Sequence, residues 1–222
     1  PPAAQLLLPA LNETFDIAGP AGRLEAVLMP PEHAPTVAAV LCHAHPLHGG
    51  IMHFKVLFRA AKALQAHGAA VLRFNFRGVG RSEGVHDDGR GEQADTAAAV
   101  EEMARRFPGL PIVLGGFSFG SAMAVRVGCA DRRVRALLVM GFPAALLKDT
   151  AFLASCAQPR LFVQGDGDAF ADGARIRALV ETLPEPKTLI VLPHSDHFFT
   201  GHLDELQGAV DSWAATRPWA AA

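Results

Sequence analysis

The sequence predicts an α/β fold: a mostly parallel, twisted sheet of about eight strands with helices on both faces, an antiparallel hairpin leading in, and no cap domain. Three observations predict it. Short β-branched apolar runs alternate with stretches of helical periodicity. The apolar runs are continuous rather than alternating, as strands covered on both faces must be. Only residues 141–159 separate the apolar runs 134–140 and 160–164, which is too little chain for a lid.

Glu13–Ile17 and Leu24–Leu28 alternate polar with apolar residues around the turn-forming Ala18-Gly19-Pro20-Ala21-Gly22, so they read as an edge hairpin. Val37–Cys42 is a continuous apolar strand. A helix follows over about 54–67, its Phe54, Leu57, Phe58, Ala61 and Leu64 on one face and Gly68 at its end. The next strand is 70–76. The helix over about 92–107 places Val100, Met103, Ala104 and Phe107 together, and Pro108 ends it. Pro111-Ile112-Val113-Leu114 is a buried strand, and Ala122–Val127 lies in a packed helix. Strands at 134–140, 160–164 and 188–192 follow, with helices over about 172–183 and 202–215. The last helix gathers Leu203, Leu206, Val210 and Trp213 on one face.

The 222 residues, 50% of them hydrophobic, suffice for one core, so a single domain over 1–222 is expected, with 1–11 as an extended arm. Net charge is -2 and no basic stripe occurs, which argues against a nucleic-acid partner. The apolar patch Leu6-Leu7-Leu8 is too short to span a membrane and lacks the basic flank of a signal peptide. Cys42, Cys129 and Cys156 are odd in number and widely spaced. No disulfide framework fits them, so a reducing, cytoplasmic setting is expected.

Gly116-Phe117-Ser118-Phe119-Gly120 sits between a strand and a helix, the setting a nucleophile elbow needs. A sharp turn there lifts the Ser118 hydroxyl above the sheet and aims the free N–H groups of a helix N-terminus at the same spot. The plain alternative is a glycine-rich turn shaped by packing alone. Serine needs a base, and the base an orienting acid. Three histidines follow Ser118, and His197 stands on the loop after strand 188–192, with His194 as competitor. The acid is sought after strand 160–164, where Asp168 lies further out than Asp166. An oxyanion takes two N–H donors. Phe119 is one, and Leu47 is the choice for the other, with His45 in reserve. Pro46 has no N–H. His45, Phe117, Phe198 and Phe199 are expected to contact substrate.

Two rival motifs are weaker. His43-x-His45-x-x-His48 has a spacing that permits zinc ligation, but the acidic partner is missing, so no metal is expected. The glycines at 78, 80 and 84 are off register for a dinucleotide loop and follow a later strand, and Arg77 there is expected to tie to nearby carboxylates or carbonyls.

Five segments in this order resemble an α/β-hydrolase-fold serine hydrolase: His45–Gly50, Phe76–Ser82, Gly116–Gly120, Gly165–Asp168 and Asp196–Phe199. More narrowly, the chain resembles the small lidless bacterial group with a His-x-His-Pro-Leu-x-Gly-Gly oxyanion loop. The resemblance implies Ser118 as nucleophile, Asp168 as acid, His197 as base and esterase-type activity, and no cofactor is expected. Small acyl esters are the expected substrates. Thioesters or short peptides are the alternative by the same chemistry, and a metal-dependent hydrolase or a silent binding module stands behind them.

Overall fold

The structure, a computed structural model, describes residues 11–147 and 149–220, so the arm expected at 1–11 lies, but for Leu11, outside them. Eight strands form one sheet in the order β1-β2-β4-β3-β5-β6-β7-β8. They are β1 Glu13–Gly19, β2 Gly22–Met29, β3 Val37–Cys42, β4 Ala69–Phe74, β5 Ile112–Phe117, β6 Val134–Met140, β7 Arg160–Gly165 and β8 Lys187–Leu192. The hairpin β1–β2 is antiparallel, as is the β2–β4 pairing, and the remaining pairings are parallel. Five α-helices lie among the described residues: α1 Lys55–Ala66, α2 Arg90–Arg106, α3 Phe119–Gly128, α4 Gly173–Glu181 and α5 Leu203–Ala215.

Strand parity sorts the core into two layers. Ala38, Val40 and Cys42 of β3 face Ala99, Val100 and Met103 of α2 and Ala122 to Val125 of α3. Val37, Ala39 and Leu41 face Val56, Leu57, Ala60 and Leu64 of α1 and Leu206, Val210 and Trp213 of α5. Both faces of β3 are therefore dry, which is why its sequence is an unbroken apolar run. One helical residue departs from its expected place. Phe58 is 44% exposed, and its ring lies beneath the Arg73 guanidinium at 5.6 Å instead of facing the sheet.

From β3 the chain moves to β4 on one side, and then to β5 on the other. Two loops therefore diverge at the carboxyl ends of β3 and β5 and leave a crevice, the usual ligand position in such sheets. Among its described residues the link 141–159 between β6 and β7 holds a short 3₁₀ turn, Ala151–Ser155, and no cap domain. Among the described residues no helix is long and apolar enough to cross a membrane.

The expectation of unpaired cysteines is corrected. Cys129, at the end of α3, and Cys156, in the 141–159 link, form a disulfide with Cα atoms 4.8 Å apart. Cys42 alone is a free thiol among the described residues, buried, with its pKa pushed up to about 12 by desolvation. The bond removes the ground on which a reducing compartment was expected. Arg77 behaves as the sequence suggests. Its guanidinium meets buried Asp95 through two bonds of 2.7 and 3.0 Å, and its backbone N–H donates to the same carboxylate. That paired fork fixes the 76–84 turn against α2.

Candidate active site

Ser118 occupies the turn between β5 and α3 with φ 55° and ψ -122°, a strained conformation for a residue that carries a Cβ. Two glycines permit it. A Cβ on Gly116 would overlap the backbone of Gly120, and a Cβ on Gly120 would overlap the carbonyls of Cys42 and His43 at the end of β3. The Ser118 N–H donates to the Met140 carbonyl at 2.9 Å, which ties the turn to β6.

The structure brings together the three residues that sequence order selects. The Ser118 hydroxyl lies 2.9 Å from His197 Nε2, and His197 Nδ1 lies 2.7 Å from Asp168 Oδ2. With Nδ1–H donating to the carboxylate, Nε2 is left to accept the hydroxyl proton. Asp168 is buried and fully engaged. Its Oδ1 accepts the Phe170 N–H at 2.7 Å and the Ala171 N–H at 3.3 Å, and its Oδ2 also accepts Gln164 Nε2 at 2.7 Å. The competitors lie elsewhere. Asp166 and His194 are exposed, and Asp196 accepts the N–H groups of Phe198 and Thr200.

Gln164 was not singled out from the sequence. Besides donating to Asp168, it donates to the Ala171 carbonyl at 3.0 Å and accepts the Phe142 N–H at 2.8 Å, so it locks the acid loop to β6 and β7. Its signal was a polar residue closing the buried apolar run Leu161-Phe162-Val163. The His197 ring is walled by Phe117 at 5.0 Å, Phe170 at 4.6 Å and Phe198 at 5.2 Å.

The two N–H groups weighed as second oxyanion donor, those of Leu47 and His45, differ in their hydrogen bonding. The Leu47 N–H donates to His45 Nδ1 at 3.2 Å, as the imidazole caps the 3₁₀ turn Pro46–His48, and the Leu47 side chain stands 70% exposed. Among the hydrogen bonds of the described residues, the N–H groups of His45 and Phe119 have no acceptor. Both residues line the cleft with Ser118.

The cleft has a volume of about 530 Å³. His45, Phe119, Phe170 and Phe198 line it, with Met123, Pro143, Leu146 and Leu147. Phe117 and Phe199 do not, contrary to expectation. Both are fully buried in the layer of α1 and α5. Phe117 shares strand parity with Val113 and stacks on Phe54, so it supports the site from below.

His43 is no metal ligand candidate, because both ring nitrogens are committed. Nε2 accepts the Phe76 N–H at 3.0 Å, and Nδ1–H donates to the Ala44 carbonyl at 2.7 Å. Burial pushes its pKa down to about 4 from 6.5. The unfolded chain therefore takes up a proton in this window that the folded chain refuses. Stability from this group is complete above pH 6.5 and lost as pH falls toward 4, by about 3 kcal/mol. A His43→Asn variant should accordingly show a flatter fall in melting temperature between those pH values than the unaltered protein. Equal slopes would refute the assignment.

A strained serine on a strand–helix turn, an imidazole on a buried carboxylate and a cleft at the switch point define a hydrolase on a doubly wound sheet. The chain belongs to the α/β-hydrolase family, whose alpha/beta hydrolase domain model matches residues 36–207. A crystal structure of an α/β serine hydrolase without lid from Xanthomonas campestris is 35% identical, covering 95% of this chain and 97% of that one, with a TM-score of 0.86. An α/β serine hydrolase homologue from Coxiella burnetii is 36% identical over 91% of this chain and 97% of its own, also at 0.86. An uncharacterised protein of Rickettsia prowazekii is 32% identical over 206 residues, 89% of this chain and 87% of its own.

Proposed function

We propose that the protein is a serine-dependent carboxylic ester hydrolase acting on small acyl esters. The observation that carries this reading is the relay from Ser118 Oγ to His197 Nε2, and from His197 Nδ1 to Asp168, drawn from three distant segments into one crevice. His197 takes the hydroxyl proton as Oγ attacks the ester carbonyl. The N–H groups of Phe119 and His45 receive the charge on the carbonyl oxygen, a contribution of about 3 kcal/mol for each well-placed donor. The imidazolium then protonates the leaving alkoxide, and an acyl-Ser118 ester remains. His197 next draws a proton from water, whose oxygen attacks the acyl carbon, and Ser118 recovers its proton. The lidless serine hydrolase from Xanthomonas campestris supports the same chemistry by its likeness.

The apolar lining from Met123, Leu146, Leu147 and Phe170 suits a short hydrocarbon acyl group. The test is a panel of aryl esters, acyl-thioesters and aminoacyl amides of graded chain length, run beside labelling by a fluorophosphonate probe. Ser118 should carry the label, and aryl esters should give the highest kcat/KM. Absence of label at Ser118 would rule the proposal out, and a clear preference for thioesters or amides would move the substrate class.

A further inference from the structure

Arg126 lines the cleft, yet the hydrolytic chemistry has no use for it. It belongs to α3, the helix that starts at the nucleophile. Ser118, Ala122 and Arg126 fall four residues apart, so they share one face, and all three line the cleft. Eight residues of helix rise about 12 Å, and a helical side chain leans back toward the N-terminus. The guanidinium thus stands within reach of a chain of about four to eight carbons attached at Ser118.

Several other arginines are committed to protein acceptors, Arg73 and Arg160 to backbone carbonyls. Arg77, Arg106 and Arg133 each hold a carboxylate. Arg126 lies over the Phe152 ring at 4.3 Å, and among the described residues no carboxylate pairs with it. Asp88 also lines the cleft, but its Oδ1 lies 3.7 Å from His86 Nε2. Met123, Pro143, Leu146 and Leu147 line the same cleft and suit methylene groups.

Direction follows from the proton transfers. The leaving oxygen must take its proton from His197 Nε2, so the alcohol part lies at the His197–Phe198 end. The acyl part takes the remaining cleft along α3. We infer that Arg126 binds a carboxylate at the far end of the acyl chain, so that the preferred substrates are monoesters of dicarboxylic acids. A planar guanidinium held by a ring face suits bidentate capture of that group. The inference rests on the proposed esterase reading.

The test pairs each p-nitrophenyl monoester of a dicarboxylic acid of about four to ten carbons with its methyl-capped diester. The ratio of kcat/KM within each pair is the readout, so altered folding or general activity cancels. The unaltered protein should favour the free carboxylate by about ten-fold at one chain length. The ratio should collapse toward one in Arg126→Gln, persist in part in Arg126→Lys, and invert in Arg126→Glu. No preference at any length, or a preference that survives Arg126→Gln, would overturn the assignment. If Ser118 is labelled by fluorophosphonate in that case, the esterase reading stands and Arg126 alone is rejected. Without labelling or aryl-ester turnover, both fall.

Discussion

Ser118→Ala is expected to lower kcat on small aryl esters by about five orders of magnitude while the protein still folds. The hydroxyl faces the cleft and makes its one side-chain bond to His197 Nε2, so its loss removes the nucleophile and little else. Adding His197→Ala should cost almost nothing more. Residues acting as one relay fail together, and their losses do not sum. Asp168→Asn should cost about four orders, because an amide cannot hold the imidazole with Nε2 free to accept. The measurement is single-turnover and steady-state hydrolysis of an aryl acetate, with circular dichroism to certify the fold. An alanine variant retaining even one-hundredth of the activity would reject a serine mechanism.

Gly120→Ala is the second large effect. The added methyl has nowhere to go, since its nearest neighbours are the Cys42 and His43 carbonyls rather than flexible side chains. Relief requires α3 to move away from β3, and with it the Phe119 N–H and the strained Ser118. Destabilisation of about 3 kcal/mol or more is expected, together with loss of activity in whatever folds. Gly208 supplies the control. It lies in α5, and a Cβ there meets nothing within 4 Å. Gly208→Ala should therefore be neutral or raise stability by about 0.5–1 kcal/mol. Thermal melts of the two variants check both signs. A Gly120→Ala protein as stable and active as its parent would mean the elbow is not packed as described.

The sheet was legible because each central strand is dry on both sides, and such strands announce themselves as unbroken apolar runs. Val37–Cys42 and Val134–Met140 were read to the residue. Ser118, His197 and Asp168 were legible as positions because strand ends and loop depth restrict where such side chains can point. What failed depends on rotation rather than position. The engagement of the Leu47 N–H could not be read, because it depends on the His45 imidazole rotating to cap the next turn. Phe117 was decided by strand parity, which the sequence carries and which Val113 already signals. Phe199 follows a partly exposed Phe198, and only the turn after Asp196 determines which of two adjacent rings is buried. The pairing of Cys129 with Cys156 depends on how the 141–159 link folds back over the end of α3, and no spacing rule encodes that.

The brevity of that link has a chemical result. With no cap domain among the described residues to close over Ser118, an acyl group held there would stay open to water. Competing alcohols or amines could not be gathered ahead of water, so the intermediate would partition to free acid. The proposed chemistry on this frame is a one-way exit for acyl groups, ill-suited to passing them on.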